Sequence, residues 1–237
     1  MVALKTTAKM FAIHVLEAVG LRNVIRQRMG RQLTYLNGDT AERFTRIYDE
    51  GVWRHGQAET PGSGAGSSLE ATSALRAELP DLLTRIGAQR LVDIGCGDLT
   101  WLRETKIPCG YVGMDIVPSV IEANRRIRPD LEFVAGDVIH EALPDGDVVL
   151  CREILFHLSF ADARAALRNI LSKPRRYILA TTDSSTWFNA DVPTGDFRPV
   201  NLMAAPFRFP KPAASIDDSA VAPQRLLGLW PVEGLRI

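Results

Sequence analysis

The chain of 237 residues is 46% hydrophobic and 24% charged, which excludes a depleted, disordered polymer and suits one packed core of a size that single α/β domains commonly reach. Its 28 Lys and Arg are matched by 28 Asp and Glu, so no overall field gathers a polyanion and no nucleic-acid partner is expected. Cys96, Cys109 and Cys151 include no C-x-x-C pair; they point to neither a disulfide framework nor a thiolate zinc site and fit a reducing cytoplasm.

Residues 1 to about 50 read as two or three helices preceding the core. The stretch from Met10 to Val19 contains His14 and Glu17 and is too short and too polar to span a bilayer. No small-residue cleavage pattern follows it, so a signal peptide is not expected. Phe11, Val15, Ala18 and Arg22 recur at helical spacing, which predicts an amphipathic helix packed on the domain or on a second copy in a homodimer, with a membrane-surface helix as the competing reading. The last of these helices runs through Thr40 to Asp49 with Phe44, Ile47 and Tyr48 on its apolar side. GVWRHGQAETPGSGAGSSLE follows, and its crowding of Pro61, Gly62, Gly64 and Gly66 with serines forbids regular structure. That segment is either a lid hinged on glycines or a passive linker. Residues 1–67 are therefore read as a helical extension with a Gly/Ser-rich loop, and 68–237 as the main domain.

A helix is predicted from Ser68 with Leu69, Leu75 and Leu79 inward and a turn after Pro80. Strands and helices then alternate. Strands are predicted at Arg90–Ile94, Tyr111–Asp115, Leu131–Ala135, Asp147–Cys151 and Arg176–Thr182, and helices at Asp98–Lys106, Pro118–Arg128 and Phe160–Ser172. This order predicts a doubly wound, mostly parallel sheet with helices on both faces. After Asp183 a Pro-rich loop should precede one or two late strands.

The strongest motif is LVDIGCGDLTWL, an apolar strand with Asp93 near its end and Gly95, Cys96 and Gly97 in the turn. Glycines suit a tight turn on which a ligand lies against the backbone. Thr100 stands where a dinucleotide fingerprint has its third glycine, which weakens a nicotinamide or flavin reading. Asp115 in YVGMDIVP and Asp137 in FVAGDVIH end the next two strands, so three acids line one crevice. A carboxylate at Asp115 can accept from both hydroxyls of a ribose. With LCREILFHL, these motifs resemble the class I S-adenosylmethionine-dependent methyltransferases over about residues 68–183. The resemblance implies a seven-stranded-type sheet and S-adenosyl-L-methionine as cofactor. It also implies Gly95 and Gly97 beneath the methionine end, Asp93 near its amino group, Asp115 at the ribose and Asp137 with Val138 at the adenine, with Cys96 in the turn and Ile116 after the second strand counted among the cofactor-binding residues.

In the resembling fold the acceptor meets the cofactor after the fourth strand, here CREILFHLSF. His157 is the candidate general base, with Glu153 or Arg152 in support; a helical segment would bring Glu153 and His157 onto one face. A histidine satisfied by a backbone carbonyl is the competing reading. His55, Trp187, Arg198, Asn201 and Arg208 are candidate acceptor residues, aromatic rings beside Asn and Arg being suited to a sugar. Asp98, Glu153, His157 and Asp183 could ligate Mg²⁺, but their spacing does not indicate a metal. The expectation is O-methylation of a small polar acceptor such as a sugar or glycan hydroxyl. N-methylation of a small amine and a non-catalytic cofactor-binding assembly protein are the alternatives.

Overall fold

The computed structural model describes residues 36–237 together with Val15, Leu16, Val19 and Leu21. The remainder of the expected leading helices, His14 and any pairing of copies through them lie outside the described residues.

Helix α1 (Thr40–Asp49) opens on a reciprocal cap: Asp39 accepts from the Glu42 amide at 2.8 Å and the Glu42 carboxylate accepts from the Asp39 amide at 3.2 Å. Helix α2 (Ser73–Arg85) begins later than predicted, because Thr72 turns the chain back on Ser68 through both its amide and its hydroxyl; Leu69 is left exposed. It also continues through Pro80, where a turn was expected. Leu75, Leu79, Leu82 and Leu83 are all buried on the sheet, and this packing outweighs the missing proline N–H.

The strands are β1 (Arg90–Ile94), β2 (Gly110–Asp115), β3 (Glu132–Ala135), β4 (Val148–Cys151), β5 (Tyr177–Asp183), β6 (Ala214–Asp217) and β7 (Arg225–Pro231). They form one sheet in the order β3-β2-β1-β4-β5-β7-β6. Strands β1 to β5 run parallel to one another, and β7 runs antiparallel to both β5 and β6. Both late strands of the tail are therefore present. Helix α3 (Pro118–Ile127) and α2 cover one face; α4 (Phe160–Leu171) and the loop carrying Val200, Leu202, Phe207 and Phe209 cover the other.

The helix predicted over Asp98–Lys106 is instead a run of turns. Asp98 Oδ1 takes the Thr100 amide at 3.1 Å and its hydroxyl at 2.7 Å, and Leu99 adopts a left-handed φ of 58°. A short acidic side chain competing for the local backbone donors explains the failure to propagate. Leu99, Trp101 and Leu102 still bury themselves, so the turns seal the core as a helix would.

Sequence runs outward from β1 in two directions, through β2 to β3 and through β4 to β5. The carboxyl ends of β1 and β4 therefore flank the crevice at which doubly wound sheets bind ligands. Among the described residues no helix is long and apolar enough to cross a membrane.

Candidate active site

The turn after β1 places Gly95 and Gly97 at φ of 65° and 61°, a region open to glycine and costly for other residues. A Cβ on Gly95 would come within 1.9 Å of Ile154 Cδ1. The turn is held by Asp115 at the end of β2: one carboxylate oxygen accepts the Gly97 amide and the other the Val117 amide, each at 3.0 Å. Each oxygen keeps a further lone pair. Asn124 on α3 donates to the Gly97 carbonyl at 2.7 Å, while burial pushes the Cys96 thiol well up and leaves it unreactive.

Asp93 is buried, and its carboxyl is pushed up to about 7, chiefly by desolvation; the Tyr111 hydroxyl, donating to it at 2.9 Å, opposes the rise and nearby Asp115 adds to it. Asp137 accepts from the Ile139 amide and lies 2.8 Å from His140 Nδ1. Asp93, Gly95, Cys96, Gly97, Asp115 and Ile116 line one cleft, and Asp137 and Val138 close its β3 end.

Thr40, Phe44 and Tyr48 of α1, together with Trp53, form the opposite wall, a contribution the sequence reading missed. Burial and the facing Asp115 and Asp98 keep the Tyr48 phenol protonated. The 61–67 segment is packed rather than loose. The Ser63 hydroxyl and amide donate to Asp98 at 2.8 and 3.2 Å, and Arg152 donates to the Gly66 carbonyl at 2.8 Å. So closed, the cleft leaves about 100 Å³ that water can enter.

At the end of β4 the segment 153–157 is not an α-helix. Glu153 holds a left-handed φ of 59°, and only Leu155–His157 makes a 3₁₀ turn. Glu153 consequently does not lie on one helical face with His157. Its carboxylate binds Arg225 of β7 at 2.6 Å, and Arg225 also binds Asp183 at 3.1 Å; Arg152 binds Asp218 at 2.7 Å. His157 is instead oriented by the chain itself: Nδ1 lies 2.9 Å from the Asp196 carbonyl oxygen, which can only accept, so Nδ1 carries the proton and Nε2 the lone pair. Burial lowers the imidazole to about 4. Trp53 packs on the ring at a centroid distance of 4.8 Å.

Of the candidate acceptor residues, His55 lines a second cavity beyond Trp53, Ser63, Glu153 and His157. The other four lie elsewhere. Trp187 is 83% exposed. Arg198 is buried, donates to the Leu158 carbonyl and stacks on Phe160, while Asn201 ties the loop to Thr186 and Asn189. Arg208 turns the loop at a φ of 56° and lines neither cavity. Asn and Arg residues in a Pro-rich loop are as useful for holding an irregular backbone as for gripping a ligand, and here Arg198 and Asn201 do the former. Asp98, Glu153 and Asp183 are engaged by Ser63 and Arg225. No metal-binding group of three or more His, Cys, Asp or Glu occurs among the described residues.

The sheet order, the glycine turn and the acids at successive strand ends define a doubly wound fold of the class I methyltransferase type. Residues 92–173 match a family model described as a methyltransferase domain. No curated protein matches it. Among solved structures it is similar to the methyltransferase domain of bacterial CtHen1, at 17% identity over 48% of this chain and 66% of that one, with a TM-score of 0.42. Magnesium protoporphyrin IX methyltransferase (ChlM) from Synechocystis PCC 6803 with bound SAH is 17% identical over 62% of this chain and 74% of its own, TM-score 0.49. PigF with SAH is 15% identical over 68% and 55%, TM-score 0.51, a likeness of fold. The chain thus covers just under two thirds of the CtHen1 domain.

The cleft, by its chemistry more than its present volume, suits S-adenosylmethionine. Its glycine turn is one that side chains would fill, and its acceptors are carboxylates, which suit an ammonium, a sulfonium and ribose hydroxyls and would repel a pyrophosphate.

Proposed function

We propose that the protein transfers a methyl group to a hydroxyl of a small acceptor, with His157 as general base. The observation carrying this reading is that His157 lines both cavities and has its Nδ1 proton committed to a main-chain oxygen, leaving Nε2 to take a proton. Bound in the first cleft, S-adenosylmethionine supplies an electrophilic methyl group. Asp93 would hold the amino group at its methionine end, Asp115 the ribose, and Asp137 with Val138 the adenine. The 61–67 segment and Trp53 line the junction of the two cavities, where they would screen the reacting centre from water once an acceptor fills the second. Glu153 and Arg152 act through position: they anchor the segment and the β4 end, and His157 alone handles the proton.

His157→Ala should lower turnover at least about 100-fold, the lower end of what a positioned base contributes, with S-adenosylhomocysteine affinity unchanged by calorimetry. Turnover within a few-fold of the parent would refute the base. Preferred methylation of an amine over hydroxyl acceptors would refute the acceptor chemistry.

A further inference from the structure

Resting on the methyl-transfer reading and sharpening it, we infer that the second cavity takes a flat, uncharged aromatic acceptor whose ring hydroxyl is methylated, a phenol in place of the sugar first expected. The cavity offers about 640 Å³ to water, within the roughly 300–1,000 Å³ of small-molecule sites.

Its walls are chiefly rings and apolar groups. Trp53, Phe156 and Phe197 surround His157, with ring centroids 4.8, 4.6 and 5.9 Å from the imidazole, and Val52, Val221 and Ala222 add apolar surface beside the polar His55 and Asp196. Phe156 and Phe197 meet edge to face at 5.1 Å, an arrangement that readily accepts another aromatic ring.

Of the charged side chains here, Glu153 and Arg225 are bonded to each other, and Asp196 adds an acid that disfavours an anionic acceptor. Arg225 is bonded to Glu153 and Asp183, and its guanidinium lies 5.0 Å over the Phe156 ring, so it offers no uncommitted cation to a phosphate or carboxylate. Ser63 gives its hydroxyl proton to Asp98. A hexose brings several hydroxyls, each costly to bury without a partner, and this surface would leave most of them unpaired. A phenol brings one, and His157 meets it.

The acidity of the acceptor agrees. With His157 at about 4, proton transfer is uphill by about 6 pKa units from a phenol near 10 and by about 12 from an alcohol near water's 15.7. In the transfer the phenol O–H proton passes to His157 Nε2. The oxygen electron pair forms the new O–C bond, and the C–S pair returns to sulfur, leaving a neutral thioether.

The test uses the full chain. Calorimetry in the presence of S-adenosylhomocysteine compares 2-naphthol with 2-naphthoate and methyl glucoside. Mass-detected transfer from S-adenosylmethionine to 2-naphthol, methyl glucoside and aniline follows. The expected result is 2-naphthol bound at least tenfold more tightly than the other two and methylated on oxygen. Phe197→Ala should weaken it at least tenfold while leaving S-adenosylhomocysteine binding unchanged. Equal or tighter binding of the glucoside or naphthoate, or indifference to Phe197→Ala, overturns the phenol. Transfer to the glucoside alone overturns it while keeping methyl transfer to hydroxyls, whereas transfer to aniline alone overturns the hydroxyl reading itself. A chain that binds cofactor and methylates none of the three overturns both.

Discussion

Cofactor binding should release a proton from Asp93, and Asp93→Asn should abolish that release. The carboxyl is held at about 7 because it is buried beside Asp115, with the Tyr111 hydroxyl compensating in part. An ammonium placed against it favours the ionised form, so binding drives the proton off. At pH 6 a group with a pKa near 7 is about 0.9 protonated, and at pH 8 about 0.1, so the release should fall from about 0.9 to about 0.1 proton per cofactor. Below neutrality the dissociation constant should weaken by up to about tenfold per pH unit. His157, at about 4, is already neutral at pH 6 and adds nothing. Calorimetric titration with S-adenosylhomocysteine in buffers of low and high ionisation enthalpy counts the protons directly. Without ligand, the raised carboxyl has its own signature: stability falls as pH rises through about 4 to 7, because the native state holds a proton that the unfolded chain has shed. Asp93→Asn should therefore raise the melting temperature at pH 8 by more than it does at pH 5. A heat independent of buffer at pH 6 would refute both the protonated carboxyl and its contact with the cofactor.

Gly66→Ala should weaken cofactor binding and speed amide exchange across 61–67, because its Cβ would fall 1.8 Å from Glu153 Oε2; parental exchange would show that the closed segment is not held there. Arg225→Met leaves Glu153 and Asp183 facing each other with no cation between them. Breaking a buried pair from one side costs about 3–5 kcal/mol, so the denaturant midpoint should drop sharply, and an unchanged midpoint would count against the network. Trp187→Ala, at a site 83% exposed, should shift stability by less than about 0.5 kcal/mol and leave turnover intact; lost turnover would return Trp187 to the acceptor site.

The parallel strands were legible because buried β-branched and aliphatic runs such as LVDI and VVLC carry their own signature and end in turn residues. The gathering of Asp93, Asp115 and Asp137 in one cleft was legible for a related reason: these acids stand at the ends of those strands, so their sequence positions fix where they lie in space. What could not be read was everything assembled across the chain. Asp98 looked like the start of a helix, yet its carboxylate serves Ser63 and Thr100 and stops one. The Phe44 and Tyr48 side of α1 was recognised as apolar, but only the tertiary fold shows that this face roofs the cleft. Arg225, more than 70 residues from Glu153, occupies the place that local spacing assigned to His157. Periodicity identifies a buried face and leaves its partner unnamed.

The contact between His157 and the Asp196 carbonyl has an evolutionary consequence. Because the acceptor is a peptide oxygen, no substitution at position 196 deletes it, and the imidazole stays locked in one tautomer whatever side chain drift places there. The vulnerable points are those that set the path of the backbone. The Gly195 amide returns a bond to the His157 carbonyl at 2.8 Å, Arg43 of α1 holds the Thr194 carbonyl at 3.1 Å, and Gly195 itself sits at a φ of 99° that few other residues tolerate. If His157 is the base, acceptor preference can diversify through the cavity walls while its tautomer stays fixed, and apart from replacement of His157 itself the mutations that would unlock the ring lie at Gly195 or outside both cavities.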